Sequence, residues 1–324
     1  MAKTNETFNG SGLGFLSRQE WALSNFLTVH FQDKSSWPSC DFAGKHRMRN
    51  LLVLALLLLS ACEGSNSRNM VLSADKSDSI VGGREVPYAD PITQKVLNFK
   101  VLYDRQEVTT ENTIEITWKA FQCTAAAIAP RIVLTAAHCL SEVADINRIE
   151  LPTADGKTEY FKVIKVVPHP DYAKDKTSDL ALLHLELALP EQVEILALPS
   201  KENPLNLTTI KAAGFGRTSG RKDVAADGGT LRTVDLNVVN FKASEQTFYV
   251  DQTAGKGVCQ GDSGGPAMLD IGVSTYLVGV VSKTRFIPDA NGNAPDICNY
   301  RGEYVNVQHY LDWIVPEMEK LSLE

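Results

Sequence analysis

The stretch Gln260-Gly261-Asp262-Ser263-Gly264-Gly265-Pro266 is the most informative part of this sequence. It places Ser263 behind an aspartate and between glycines, which suits a nucleophilic serine. A polar turn could carry the same residues, so the motif alone leaves both interpretations open. Upstream lie Leu134-Thr135-Ala136-Ala137-His138-Cys139 and Asp179-Leu180-Ala181-Leu182-Leu183. Together the three motifs supply a histidine, an aspartate and a serine, the side chains of a hydrolytic triad.

The composition is that of an acidic globular protein. The 324 residues carry a formal net charge of −7, and 44% of them are hydrophobic, which is ordinary for a folded domain. The sequence has no Lys/Arg-rich run, so it lacks the basic footprint of a nucleic-acid-binding protein. None of the six cysteines lies in a CxxC pair, which weakens a zinc-site interpretation. Four of them lie where disulfides suit the chain, and this indicates an oxidising compartment.

An apolar run over residues 51–61 is too short to span a membrane as a helix, which needs ~20 residues. Basic residues precede it: Lys45, Arg47 and Arg49. Such a pattern is typical of an export signal. A buried core helix is the alternative, but the run has no polar face.

The export signal begins unusually far from Met1. Read from Met48, residues 48–62 form an ordinary short signal peptide. We therefore expect residues 1–47 to come from a start codon assigned too far upstream, with a genuine disordered extension as the alternative. Residues 63–79 are small and polar and are expected to be a tether or propeptide.

The run ends in Leu59-Ser60-Ala61-Cys62, which resembles a bacterial lipobox. That resemblance implies lipidation at Cys62, a bacterial source and an enzyme anchored to a membrane outside the cytoplasm by acyl chains. Ordinary signal cleavage near Ala61 is the alternative, and it would leave Cys62 as an unpaired thiol. Lipidation accounts for the cysteine count if four cysteines pair and Cys40 is never translated.

From Ile80 to Glu324 the sequence resembles the chymotrypsin-like (trypsin-fold) serine peptidases. The resemblance rests on motifs in the family's order, spread over the whole stretch: Ile80–Gly83, Leu134–Cys139, Pro168–Pro170, Asp179–Leu183, Gly214–Gly216, Gln260–Pro266, Val278–Ser282, Gly302–Val305 and Trp313–Ile314. It implies an all-β fold in residues 80–324, with two packed six-stranded antiparallel Greek-key β-barrels near residues 80–195 and 200–305 and a C-terminal α-helix.

The local pattern agrees with this fold. Runs rich in Val, Ile and Thr between Gly, Pro, Asn and Asp predict strands: Arg131–Thr135, Phe161–Val167, Leu180–Leu187, Leu231–Val239, Tyr276–Ser282 and Glu303–Val307. Apolar residues spaced at a helical period from Val307 to Leu321 predict an amphipathic helix. Pro316 is expected to kink or frame its second half.

The resemblance also implies a role for each motif residue. Ser263 is the nucleophile, His138 the general base and Asp179 its orienting partner, and the backbone N–H groups of Gly261 and Ser263 form the oxyanion hole. Asp262 is expected to pair with a new N-terminal ammonium on Ile80 after activation. Ser79 precedes that residue where many relatives have Arg or Lys, so a trypsin-like activator is not implied.

Disulfides and substrate preference follow in the same way. The resemblance implies the pairs Cys123–Cys139 and Cys259–Cys298. It assigns the specificity pocket to Gly257, Val258, Ser282, Thr284 and Gly302. An uncharged Gly257 at the pocket base argues against cleavage after Lys or Arg, and a small or medium apolar residue before the scissile bond is expected. Lys283 and Arg285 leave an acidic residue as an alternative.

The sequence therefore predicts an exported serine endopeptidase that acts on proteins or peptides as a monomer, with no cofactor and no metal. A catalytically inactive homologue acting as a binding module is the alternative. A lipase or esterase is a weaker one, because those enzymes use a Gly-x-Ser-x-Gly elbow and the order Ser, Asp, His.

Overall fold

A computed structural model of the protein describes residues 80–324 except 110–113, 142, 143, 145, 204, 226 and 294. The expectations for residues 1–47, 48–62 and 63–79, including lipidation of Cys62, lie outside the described residues. Within the described part of the chain, no helix is long and apolar enough to cross a membrane.

Thirteen strands and one α-helix make up the described fold. The strands are β1 (Arg84–Glu85), β2 (Leu97–Thr109), β3 (Ile114–Ala129), β4 (Ile132–Thr135), β5 (Ile146–Pro152), β6 (Thr158–Pro168), β7 (Ala181–Leu185), β8 (Thr209–Gly214), β9 (Arg232–Val239), β10 (Thr247–Asp251), β11 (Pro266–Ile271), β12 (Ser274–Arg285) and β13 (Arg301–Asn306). The helix is α1 (Leu311–Ser322).

The first barrel closes in the order β2-β3-β4-β7-β6-β5 with antiparallel pairing. Strands β4 and β7 are buried along their whole length, which explains why their sequences are almost continuously apolar. Strand β6 carries mostly exposed side chains and forms part of the barrel's outer surface. Phe99, Leu134 and Leu182 are fully buried in the core of this barrel.

The second barrel closes through β8-β9-β10-β13-β12-β11, with β1 added to the edge of β9. The rings of Phe248 and Tyr304 stack in its core with centroids 5.3 Å apart. The two closed six-stranded antiparallel barrels confirm the predicted all-β fold class.

The N-terminal segment belongs to the second barrel, although residues 80–195 were predicted to form the first. Arg84 pairs with Thr233, and Val81 forms an isolated bridge with Gly257. Ile80 is fully buried in the core of the second barrel. The chain crosses to the first barrel only after β1.

The C-terminal helix begins later than its apolar pattern suggested. Val307 still belongs to the barrel, because its N–H donates to the carbonyl of Val278 at 3.2 Å. The helix starts at Leu311 and buries Leu311, Ile314 and Leu321. Pro316 lies inside the helix, where its ring removes one backbone donor.

Candidate active site

The pairing of two buried strands brings His138 and Asp179 together. Strands β4 and β7 are antiparallel, with Thr135 opposite Ala181. His138 lies in the short 3-10 turn that follows β4, and Asp179 lies shortly before β7 begins. Residues after one strand and before its antiparallel neighbour meet at the same end of the sheet. Two motifs far apart in the sequence therefore become neighbours.

Asp179 holds the histidine through two contacts. Its Oδ2 lies 2.7 Å from Nδ1 of His138, and its Oδ1 accepts from the His138 backbone N–H at 2.9 Å. The hydroxyl of Ser282 donates to Oδ2 at 2.6 Å. Burial would raise the pKa of Asp179, but the hydrogen bonds and charge of His138 and the bond from Ser282 outweigh it and hold this pKa below its ordinary value. The carboxylate therefore stays ionised beside the imidazole.

Ser263 lies in a tight loop just before β11, and its side chain lines the same cleft as His138 and Asp179. Gly261 and Gly264 have φ values of 97° and 79°, a left-handed backbone that favours glycine. At Gly264 a side chain would also collide with Thr135 and Thr124. The Ser263 hydroxyl makes no hydrogen bond to a described residue. Such contacts are often longer in ligand-free active sites.

The same loop presents two backbone donors. Among the described residues, the N–H groups of Gly261 and Ser263 have no hydrogen-bond acceptor, whereas the carbonyls of both residues are bound by Thr124. The Thr124 N–H donates to the Ser263 carbonyl at 2.8 Å and its hydroxyl to the Gly261 carbonyl at 2.9 Å. With their carbonyls held on β3, the two N–H groups are available to a ligand oxygen.

Thr124 positions the Ser263 loop, although no sequence motif predicted this role. It is fully buried, and its hydroxyl also accepts from the backbone N–H of Phe215 at 3.2 Å. Its position next to Cys123 was visible in the sequence, but nothing local indicated that it would support a loop more than a hundred residues later in the chain.

Asp262 is a fully buried carboxylate behind the Ser263 loop. It accepts from the backbone N–H groups of Gly216 and Cys259, each at 2.8 Å. Burial raises its pKa to about 7, although these two hydrogen bonds and the charge of Arg232 act in the opposite direction. Ionisation of this buried carboxyl group destabilises the folded protein unless a cation pairs with the carboxylate.

The cleft has a volume of about 370 Å³. Besides His138, Asp179 and Ser263 it is lined by Tyr172, Lys176, Cys259, Gln260, Val281, Ser282, Lys283, Thr284 and Ile297. One expected pair of cysteines, Cys259–Cys298, forms a disulfide beside this cleft. The other pair, Cys123–Cys139, forms a disulfide next to His138.

Comparison with known proteins agrees with this geometry. The trypsin family model matches residues 104–314. The chain belongs to the trypsin family. Among curated proteins it is 32% identical to the serine protease snk of Drosophila melanogaster, over 59% of this chain and 48% of that protein. It is 29% identical to the CLIP domain-containing serine protease B4 of Anopheles gambiae, over 60% of this chain and 61% of the relative.

A mammalian relative matches over a larger share of its own length. Granzyme M of Rattus norvegicus is 28% identical over 63% of this chain and 79% of that protein. The chain spans about half to three fifths of the length of the first insect relatives it matches.

The residues predicted to form the specificity pocket are divided with respect to the cleft. Of the predicted pocket residues, Ser282 and Thr284 line the cleft, whereas Gly257, Val258 and Gly302 are not among its lining residues. The side chain of Gln252 occupies the space beside Gly302, because a Cβ on Gly302 would lie 2.5 Å from Gln252 Oε1.

Two cations expected to attract an acidic substrate are already paired. Lys283 Nζ lies 3.2 Å from Oε1 of Glu303, and Arg285 Nη2 lies 2.7 Å from Oε2 of the same residue. Glu303 is buried, so one internal carboxylate offsets part of their charge. This arrangement weakens the case for an acidic residue before the scissile bond.

Proposed function

We propose that the chain is a serine endopeptidase that hydrolyses proteins or peptides through an acyl-enzyme. The observation that carries this proposal is the 2.7 Å contact between His138 Nδ1 and Asp179 Oδ2 in a cleft that Ser263 also lines. Two backbone N–H groups without a described acceptor lie in the Ser263 loop. The serine protease relatives support the same reaction class.

In the proposed reaction, Ser263 Oγ attacks the carbonyl carbon of the scissile bond while Nε2 of His138 takes its proton. The carbonyl oxygen becomes an anion that accepts from the N–H groups of Gly261 and Ser263. Each such donor lowers the barrier by about 3–4 kcal/mol. His138 then protonates the leaving amine, and water repeats the sequence on the acyl-enzyme.

Asp179 acts through His138 in this scheme. With its Oδ2 on Nδ1, the imidazole keeps Nε2 free to accept the serine proton, and the carboxylate stabilises the imidazolium that forms. Its lowered pKa keeps the carboxylate charged across the neutral pH range.

Hydrolysis of a fluorescent protein substrate by the protein after cleavage before Ile80 tests the proposal. Ser263→Ala should abolish hydrolysis, whereas Ser244→Ala, a change at an exposed serine, should leave the rate unchanged. Hydrolysis that survives in Ser263→Ala would overturn the proposed nucleophile. A folded protein that has been cut before Ile80 and still hydrolyses no substrate would instead favour the catalytically inactive homologue.

We propose that activity requires cleavage before Ile80. Ile80 is buried with a φ of 45°, a conformation that strains a β-branched residue as long as a peptide bond precedes it. Cutting the bond to Ser79 removes that constraint and creates an ammonium group in the protein interior that can neutralise Asp262. The active species should begin at Ile80 in N-terminal sequencing, and an active species that begins upstream would contradict this.

Export and lipidation at Cys62, in a bacterial source, also stand as proposals. They rest on the signal-like segment 48–62 and its lipobox-like end. The full chain should incorporate labelled palmitate, and Cys62→Ala should lose the label. Equal labelling of the variant would refute the anchor.

A further inference from the structure

A buried side chain from outside the motifs lies against Gly257 and Gly302, two glycines of the predicted pocket. Gln252 follows β10, and the side chain is completely buried. A Cβ on Gly257 would overlap this side chain, and a Cβ on Gly302 would lie 2.5 Å from its Oε1. The amide of Gln252 therefore fills the space that the two glycines leave empty.

Hydrogen bonds fix the amide in that position. Its Nε2 donates to the carbonyls of Cys298 at 2.7 Å and Val258 at 3.1 Å, and its Oε1 accepts from the Val258 N–H at 3.0 Å. Both side-chain amide atoms are thus satisfied without water. A buried amide with all its partners made is expensive to displace.

The residues that are hydrogen-bonded to Gln252 are next in sequence to residues that line the cleft. Val258 precedes the cleft-lining Cys259, and Cys298 follows the cleft-lining Ile297. Gly302 lies opposite Thr284 in the pairing of β12 with β13, and Thr284 also lines the cleft. Gln252 therefore contacts residues adjacent to three parts of the cleft wall.

We propose that Gln252 is the floor of the primary specificity pocket and limits the residue before the scissile bond to a small side chain. The inference rests on the proposed peptidase function and deepens it. Although Gly257 and Gly302 would suit a deep pocket for an aromatic side chain, the Gln252 amide occupies that depth.

The role of Gln252 as the pocket floor can be tested with two peptides. They differ only in the residue before the scissile bond, which is Ala in one and Phe in the other. We expect the wild-type protein, once cut before Ile80, to favour the Ala peptide. Gln252→Ala should raise the ratio of kcat/KM for Phe over Ala by at least about tenfold, since a few methylenes in an apolar pocket change selectivity by this much. Rates are normalised to the number of active sites titrated with a fluorophosphonate.

Two further variants serve as controls. The first separates the space that the Gln252 side chain fills from the hydrogen bonds that its amide makes. Gln252→Met keeps the length of the side chain without its amide and should keep the wild-type ratio. Gln192→Ala changes an exposed glutamine on the first barrel and should also keep it. The proposal would be overturned if Gln252→Ala left the Phe/Ala ratio of kcat/KM unchanged. It would also be overturned if Gln252→Met shifted that ratio as much as Gln252→Ala does.

A double-mutant cycle of melting temperatures tests the position of the Gln252 side chain without an activity assay. Gly302→Ala should lower the melting temperature of the wild type, because the new methyl group meets Gln252 Oε1. The same change should cost less in the Gln252→Ala background. Equal losses in both backgrounds would overturn the inference, and a wild type that cleaves neither peptide would refute the peptidase proposal instead.

Discussion

Asp179 contributes to the site through the contacts it makes with His138 and Ser282. Asp179→Asn keeps the shape of the side chain but cannot accept a hydrogen bond from Nδ1–H through its amide nitrogen. We expect kcat to fall by about 10⁴ with a small change in KM, because the imidazole takes the wrong tautomer. Steady-state kinetics on a peptide substrate measure this.

The matched control removes a neighbour of the carboxylate and leaves its charge. Ser282→Ala deletes only the bond from the Ser282 hydroxyl to Oδ2, so its loss of kcat should be far smaller. Full activity in Asp179→Asn would contradict the role assigned to Asp179.

Thr124 supports the Ser263 loop, the proposed oxyanion hole, from the first barrel. Thr124→Val removes the hydroxyl that binds the Gly261 carbonyl and the Phe215 N–H. The loop that carries Gly261 and Ser263 is then held less firmly. We expect a lower kcat with little change in KM, because the lost support matters mostly in the transition state. Thr124→Ser restores the hydroxyl and should recover kcat, and a KM effect alone would contradict this role.

At this scale the sequence predicted the residues whose chemistry is irreplaceable. Acyl transfer needs a nucleophile, a base and an orienting acid, so motifs around Ser263, His138 and Asp179 carried a signal. Gln252 and Thr124 were missed because a buried amide and a buried hydroxyl have no local signature. Their partners lie on other strands.

Among the elements, the strands were easier to predict than the ends of the helix. Strands β4 and β7 are buried on both sides, so their apolar runs were unambiguous. The helical period before α1 includes Val307, which belongs to the barrel, since an apolar residue at the end of a strand fits the helical spacing by chance. The sequence also could not indicate that β1 joins the second barrel.

Helix α1 is attached through a few apolar contacts. Ile314 is completely buried in the core, so Ile314→Ala should lower the free energy of unfolding by about 2–5 kcal/mol. Glu319→Ala, at an exposed position of the same helix, should change it by less than about 0.5 kcal/mol. Urea denaturation compares the two, and equal small losses would contradict the docking of the helix.

For the molecule as a whole, the uncut chain should become less stable as Asp262 ionises. The pKa of this carboxyl is raised from 3.8 to about 7 in the folded protein, so the folded state binds more protons than the unfolded state between these values. The stabilising effect is complete below pH 3.8 and is lost as the pH rises through about 7.

Asp262→Asn isolates this contribution. The variant loses one acceptor and starts from a lower stability, but it should lack the decline that the Asp262 protein has between pH 4 and 7. Denaturation against pH in the Ser263→Ala background measures both proteins without self-cleavage. Parallel pH profiles would contradict the assignment. Cleavage before Ile80 should also remove the decline, since an ammonium can then pair with the carboxylate.

The central claim is that Ser263 is a nucleophile activated by His138. Its most direct test is the site of reaction with a fluorophosphonate, mapped by mass spectrometry on the protein after cleavage before Ile80. We predict one adduct per chain on Ser263, and a rate of labelling that falls strongly in His138→Ala. An unlabelled Ser263, or an adduct on another serine, would contradict the account.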